Sequence, residues 1–198
     1  MLYALARCFF VPFFKIFFRA RVLGAENLPA EGPVILAANH LSNWDPPFLA
    51  CFLPRPVSYM AKIELFKNPV FAAAIRSCHA FPVKRGAADR GAIKTAMQVL
   101  KEERVLGVFP EGTRSRTGKM QKAEAGVALI ASMSDAPVVP AAILGTNEIF
   151  SKGRRFPKLT IAYGKPMKFT GNRKNKEDLE EFSQSILNII SDMKEKVK

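Results

Sequence analysis

The sequence predicts an α/β fold, with a central mixed, mostly parallel sheet flanked by helices. Short apolar runs recur at residues 34–38, 57–61, 80–83, 105–109, 138–143 and 159–163. Segments with helical spacing of apolar residues lie between several of them. Parallel strands need long crossovers, and a helix is the usual one, so this alternation favours a layered α/β arrangement. At 198 residues the chain fits one domain with a short appendage.

Taken in order, residues 1–21 form the appendage. Six Phe and one Tyr lie among the first eighteen residues, with Arg7, Lys15, Arg19 and Arg21 and no acid. Arg7 and Lys15 leave an uninterrupted apolar run of only seven residues, 8–14, far short of the roughly 20 that span a bilayer. The composition fits an amphipathic helix lying in the headgroup region, rings immersed and basic groups reaching outward. A Phe-rich first helix packed on the protein's own core is the other reading.

Residues 22–198 form the domain. Pro29 to Pro33 make a turn-rich stretch, and the apolar run at 34–38 feeds a loop at Asn39-His40. Residues 89–102 carry Ile93, Met97 and Leu100 at helical spacing, and residues 124–133 offer Val127, Ile130 and Ala131. In the tail Leu179, Phe182, Ile186, Ile189, Ile190, Met193 and Val197 describe a closing amphipathic helix, expected to cover the sheet or to help hold a membrane face.

Thirty Lys and Arg against 17 Asp and Glu give a net charge of +13. Nucleic acid, an anionic lipid surface and a phosphorylated substrate all satisfy that sign. Residues 151–176 alone hold nine Lys or Arg and no acid, and a merely solvated basic face is the plain alternative. Cys8, Cys51 and Cys78 form no CxxC pair, so neither a disulfide framework nor a zinc site is expected. Cys78 beside His79 reads as a structural thiol rather than a nucleophile with its base.

Four strand ends carry groups capable of chemistry. His40 directly follows the first buried run, and Asp45 stands five residues later, before Pro46-Pro47. A residue before proline avoids helical backbone, so the two are expected to bracket a turn that lets them meet. An imidazole held by a carboxylate is fixed in one tautomer and accepts a proton from an alcohol more readily. A satisfied core His and a helix-capping Asp are the alternatives. After the 105–109 run, Glu111-Gly112-Thr113-Arg114 make an exposed turn in which Arg114 offers a planar fork for phosphate and Gly112 a close backbone approach. Arg85, after Phe81-Pro82-Val83-Lys84, and Lys62, after the 57–61 run, are further cations at strand ends.

Together these segments resemble the phospholipid and glycerol acyltransferase family, whose best-known members are lysophosphatidic acid acyltransferases. Asn39-His40-x-Ser42-x-x-Asp45 is similar to the family's first block, residues 81–85 to its second, 109–115 to its third and Val139-Pro140 to its fourth. Similarity runs on through residues 60–66 and 125–128, and covers roughly 20–170. His79 stands where many relatives have Gly, and Glu103-Arg104 replaces the Gly usual before the third-block strand.

The resemblance implies the glycerolipid acyltransferase fold and transfer of a fatty acyl group from a thioester, acyl-CoA or acyl carrier protein, to the 2-hydroxyl of lysophosphatidic acid. It implies a general base at His40 oriented by Asp45, and no covalent acyl-enzyme. Glu111, Gly112, Thr113 and Arg114 would bind the glycerol phosphate, with Arg85 and Lys62 assisting. No metal, bound cofactor or nucleic-acid partner is expected, and the cytoplasmic face of the cell membrane is the expected location. A different lyso-lipid acceptor is one alternative. A thioesterase is the other, although no G-x-S-x-G elbow is present.

Overall fold

Strands buried on both faces need apolar side chains at nearly every position, which is why the apolar runs are short and unbroken. The computed structural model describes residues 2–84, 89–115, 120–150 and 156–197. Its strands are β1 (Arg21–Leu23), β2 (Val34–Ala38), β3 (Val57–Lys62), β4 (Phe81–Val83), β5 (Val105–Val108), β6 (Val138–Leu144) and β7 (Thr160–Tyr163). They form one seven-stranded sheet in the order β1-β7-β6-β2-β5-β3-β4. The pairing of β6 with β7 is antiparallel and the other neighbours are parallel, so the mixed, mostly parallel sheet is as predicted.

Alternation along β2 divides the core. Val34, Leu36 and Ala38 face one layer, while Ile35 and Ala37 face the other. The first layer is covered by helices α1 (Leu2–Phe18) and α2 (Asp45–Phe52), which bring Phe14, Phe18, Phe48 and Leu49 to it. The second is covered by α4 (Arg90–Lys101), α5 (Gly126–Ser134) and α6 (Lys176–Val197), through residues such as Ala96, Ile130 and Ile186. The tail helix therefore takes the first of its two expected roles and covers the sheet.

Helix α1 packs one side on the protein's own core. Phe14 and Phe18 are fully buried, and Phe14 packs edge-on against Phe48 with ring centroids 5.1 Å apart. On the other side Leu5, Phe9, Ile16 and Phe17 face solvent. Among the described residues no helix is long and apolar enough to cross a membrane.

Strand β1 and one helix have no predicted counterpart, and α2 corresponds only to the alternative in which Asp45 precedes a helix. Strand β1 has only three residues and one apolar neighbour pair, too short for a pattern. Helix α2 begins at Asp45, with Pro46 and Pro47 in its first turn; proline lacks the N–H that a first turn leaves unpaired anyway, so the pair starts a helix rather than preventing one. Helix α3 (Pro69–Ser77) starts the same way, with Asn68 accepting from the Phe71 N–H at 3.0 Å.

Both departures from the family pattern fall where the backbone is left-handed. Helix α3 ends with His79 at φ 63°, its N–H bonded to Arg76 O and the Ala80 N–H to Ile75 O. Helix α4 ends with Glu103 at φ 53°, bonded to Leu100 O, and the Arg104 N–H bonds to Val99 O. These are Schellman closures, in which glycine is the unstrained residue. Glu103→Gly relieves that conformation, and its urea midpoint is expected to correspond to a gain of up to about 1 kcal/mol once the looser unfolded glycine is allowed for. An unchanged or lower midpoint would show that the glutamate side chain contributes something the backbone geometry does not reveal.

Candidate active site

Strands β2, β3, β4, β5 and β6 run parallel to one another, so their carboxyl ends share one edge of the sheet. Ligand sites of open α/β sheets form at such an edge. His40 lies just past β2, Lys62 ends β3, the 109–115 segment follows β5, and Gly145-Thr146 follows β6. The strand order makes these ends neighbours.

The expected meeting of His40 and Asp45 is present. Asp45 is fully buried, and its Oδ2 accepts from His40 Nδ1 at 2.7 Å, the Leu41 N–H at 2.6 Å and the Ser42 N–H at 2.7 Å. Its Oδ1 accepts from the Thr146 hydroxyl. A carboxylate only accepts, so Nδ1 is the donor in this bond, and in the neutral imidazole Nε2 then keeps its lone pair. Nε2 makes no hydrogen bond among the described residues. Although Asp45 opens α2, its carboxylate turns back onto the preceding loop and does not cap the helix.

Phe109 packs against one face of the His40 ring, with centroids 4.0 Å apart and planes at 18°, and in turn stacks on Tyr59 at 6.0 Å and 11°. The Tyr59 ring lies across the backbone of Gly107, where a Cβ would stand 2.3 Å from Tyr59 Cε1; glycine at that point of β5 is what lets the stack form. The preceding residue, Asn39, is buried and clamps β6 with its amide, Nδ2 donating to Ile143 O at 3.0 Å and Oδ1 accepting from the Ile143 N–H at 2.7 Å.

Glu111, expected on the substrate side, is turned inward. It is buried; Oε1 accepts from the His40 N–H at 3.0 Å and Oε2 from the Gln121 N–H at 3.1 Å. The Ser115 N–H donates to His40 O at 2.9 Å, so the third-block turn grips both sides of the His40 peptide. Gly112 has φ 66°, which the turn requires. Thr113 Oγ1 reaches Gln121 Oε1 at 3.4 Å, and Gln121 Nε2 donates to Arg114 O at 3.2 Å. Arg114 is exposed and donates through Nη1 to Asn43 Oδ1 at 2.9 Å, which seats its guanidinium on the His40–Asp45 loop.

Lys62 forms an ion pair with Glu64 at 3.4 Å, both side chains about half exposed; such a pair contributes little and leaves the cation available. Arg85 lies outside the described residues. Cys78 and His79 do not form a nucleophile and its base, since burial pushes the Cys78 thiol up and thus away from thiolate, and the His79 ring packs toward Tyr3. Sequence reasoning missed Asn39, Phe109 and Thr146 as members of the site. Asn39 and Thr146 each sit one residue from a recognisable boundary, beside His40 and Gly145, but their partners lie far away in sequence.

A model of the Acyltransferase family matches residues 19–144. Over 152 residues the chain is 39% identical to the 1-acyl-sn-glycerol-3-phosphate acyltransferase of Bacillus subtilis, covering 74% of this chain and 73% of that protein. It is 32% identical over 167 residues to the enzyme of the same name from Streptococcus pneumoniae, covering 83% of this chain and 61% of that one. The crystal structure of the 1-acyl-sn-glycerophosphate (LPA) acyltransferase PlsC from Thermotoga maritima superposes with a TM-score of 0.78 at 28% identity, covering 99% of this chain and 80% of that one.

The inward placement of Glu111 has a measurable consequence. In Glu111→Gln one carboxylate oxygen becomes an NH2 facing a buried N–H, so the protein is expected to lose about 1–3 kcal/mol of stability by urea denaturation. A stability equal to the unmodified protein's would mean that the two amide contacts do not brace the loop.

Proposed function

The chain belongs to the Acyltransferase family, and from that premise we propose that it transfers a fatty acyl group from a thioester to the 2-hydroxyl of lysophosphatidic acid, giving phosphatidic acid. The observation that carries this reading is the imidazole of His40, fixed by a buried carboxylate through Nδ1 at 2.7 Å with Nε2 left to accept a proton. His40 Nε2 takes the proton of the acceptor hydroxyl as its oxygen attacks the thioester carbonyl. The tetrahedral intermediate collapses with loss of the thiolate, which recovers the proton from His40.

Arg114, seated on the same loop, is proposed to bind the acceptor phosphate, with Lys62 and Arg85 as further cations and the backbone at Gly112 and Thr113 lining the approach. Glu111 serves this site by holding the His40 peptide. The donor is acyl-CoA or acyl carrier protein, whose anionic carriers both suit a chain of net charge +13.

We place the reaction at the cytoplasmic face of the cell membrane, with the protein bound peripherally. Leu5, Phe9, Ile16 and Phe17 form an exposed apolar strip on α1, continued by Phe150 and Phe156, which pack around Phe17 and Phe18. Lys15 and Arg19 are exposed beside the strip, a pattern suited to anionic lipid.

Phosphatidic acid formation by purified protein, from lysophosphatidic acid with each thioester donor, tests the reaction. His40→Ala is expected to lower the rate by about 10²- to 10⁴-fold with the fold retained, and full activity in the folded variant would contradict the mechanism. Product only with another lyso lipid would change the acceptor, and free fatty acid released without acceptor would point to a thioesterase. For the membrane, Phe9→Glu combined with Ile16→Glu is expected to weaken sedimentation with anionic vesicles and to slow transfer to vesicle-borne acceptor. Unchanged vesicle binding would remove the strip from the account.

A further inference from the structure

We propose that Thr146 is a positioning residue for the base, holding the Asp45 carboxylate in the rotation that keeps Oδ2 on His40 Nδ1. The inference rests on the acyl-transfer reading for its kinetic arm alone. Asp45 Oδ2 collects all its donors from residues 40–42, within the same short loop. A carboxylate held by one oxygen can still pivot about it. The contact on the other oxygen comes from β6's end, 101 residues away, where the Thr146 hydroxyl donates to Oδ1.

Thr146 is itself fixed. It is 1% exposed, and its β-branched side chain has few rotamers. The turn that aims it depends on Gly145, which has φ 87° and lies where a Cβ would stand 2.4 Å from Lys158 O. Two residues earlier, the Asn39 amide ties β6 to the His40 loop at Ile143. Threonine thus reaches Asp45 from a rigid strand end already registered against the loop.

Removing the hydroxyl leaves Oδ1 buried without a donor. The carboxylate is then fixed through Oδ2 alone and free to pivot about it, which loosens Oδ2 on Nδ1 and frees the imidazole to exchange tautomers. Catalysis suffers through His40, whereas the groups proposed to bind the acceptor phosphate do not move.

The test compares Thr146→Val, which keeps shape and loses the donor, with Thr146→Ser, which keeps the donor. Valine is expected to lower kcat about tenfold with KM for lysophosphatidic acid changed less than about twofold, and serine to restore kcat. In 15N spectra of the neutral imidazole, assigned against His79→Gly, the unmodified protein is expected to show His40 protonated at Nδ1 and the valine variant a mixture. Unmoved kcat and tautomer in Thr146→Val would overturn the proposal, as would a serine variant as impaired as the valine one. If Thr146→Val does not fold, Thr146→Cys, a poor donor of similar size, is expected to lose kcat instead, and full kcat there counts against the hydroxyl. The spectra need no acceptor. A tautomer change in a protein that makes no phosphatidic acid would reject the acceptor and keep Thr146, whereas product formation with neither readout moved would reject Thr146 alone.

Discussion

A carboxylate taken fully out of water must be met by donors on both oxygens, and the buried Asp45 imposes that requirement on the whole active edge. An unpaired buried ion costs several kcal/mol, a large fraction of a domain's total stability. Three amide or ring N–H groups of the preceding loop and one hydroxyl from the end of β6 meet it. Helix α2 must therefore begin where its first residue can turn its side chain backwards, and the loop after β2 must curl around that side chain. The double proline that follows is compatible with this start because it gives up N–H groups that no helix partner would have used.

The same economy governs the braces around the loop. Asn39 reproduces a strand-to-strand ladder with a side-chain amide, and Glu111 satisfies two backbone N–H groups, one 10 and the other 71 residues away from it in sequence. Phe109 closes one face of the imidazole and excludes water from it, and its own support on Tyr59 depends on a missing Cβ at Gly107. Above this polar loop, α1 and α2 contribute a Phe-rich layer whose inner side is core and whose outer side is exposed. In the proposed reaction, an acceptor and a donor with hydrocarbon tails meet the base at this edge of the sheet.

Much of this was legible beforehand, for a physical reason. Strands buried on both faces leave unbroken apolar runs, and six of the seven strands announced themselves that way. Strand β1 did not, since a three-residue edge strand has no period to detect. His40 and Asp45 were readable because their contact spans five residues. The hydrogen bond from Thr146 and the clamp from Asn39 span about a hundred residues, and such pairings follow from sheet order rather than from local sequence. Glu111 was legible as important but not in its orientation, because a conspicuous acid in an exposed-looking turn gives no sign that two buried amides await it. Positions 79 and 103 depart from the family's glycines, and the left-handed backbone there explains why glycine would suit them.

In the proposed mechanism the negative charge of Asp45 makes His40 a competent base, and Asp45→Asn isolates that charge. The amide oxygen can take the place of Oδ2 among its three N–H donors, while the NH2 group donates to the Thr146 hydroxyl, so geometry is conserved and charge removed. The Asp45→Asn protein is expected to fold and to lose at least about 100-fold in kcat for acyl transfer, with KM for lysophosphatidic acid little changed. An Asp45→Asn enzyme with the kcat of the unmodified protein would contradict that mechanism.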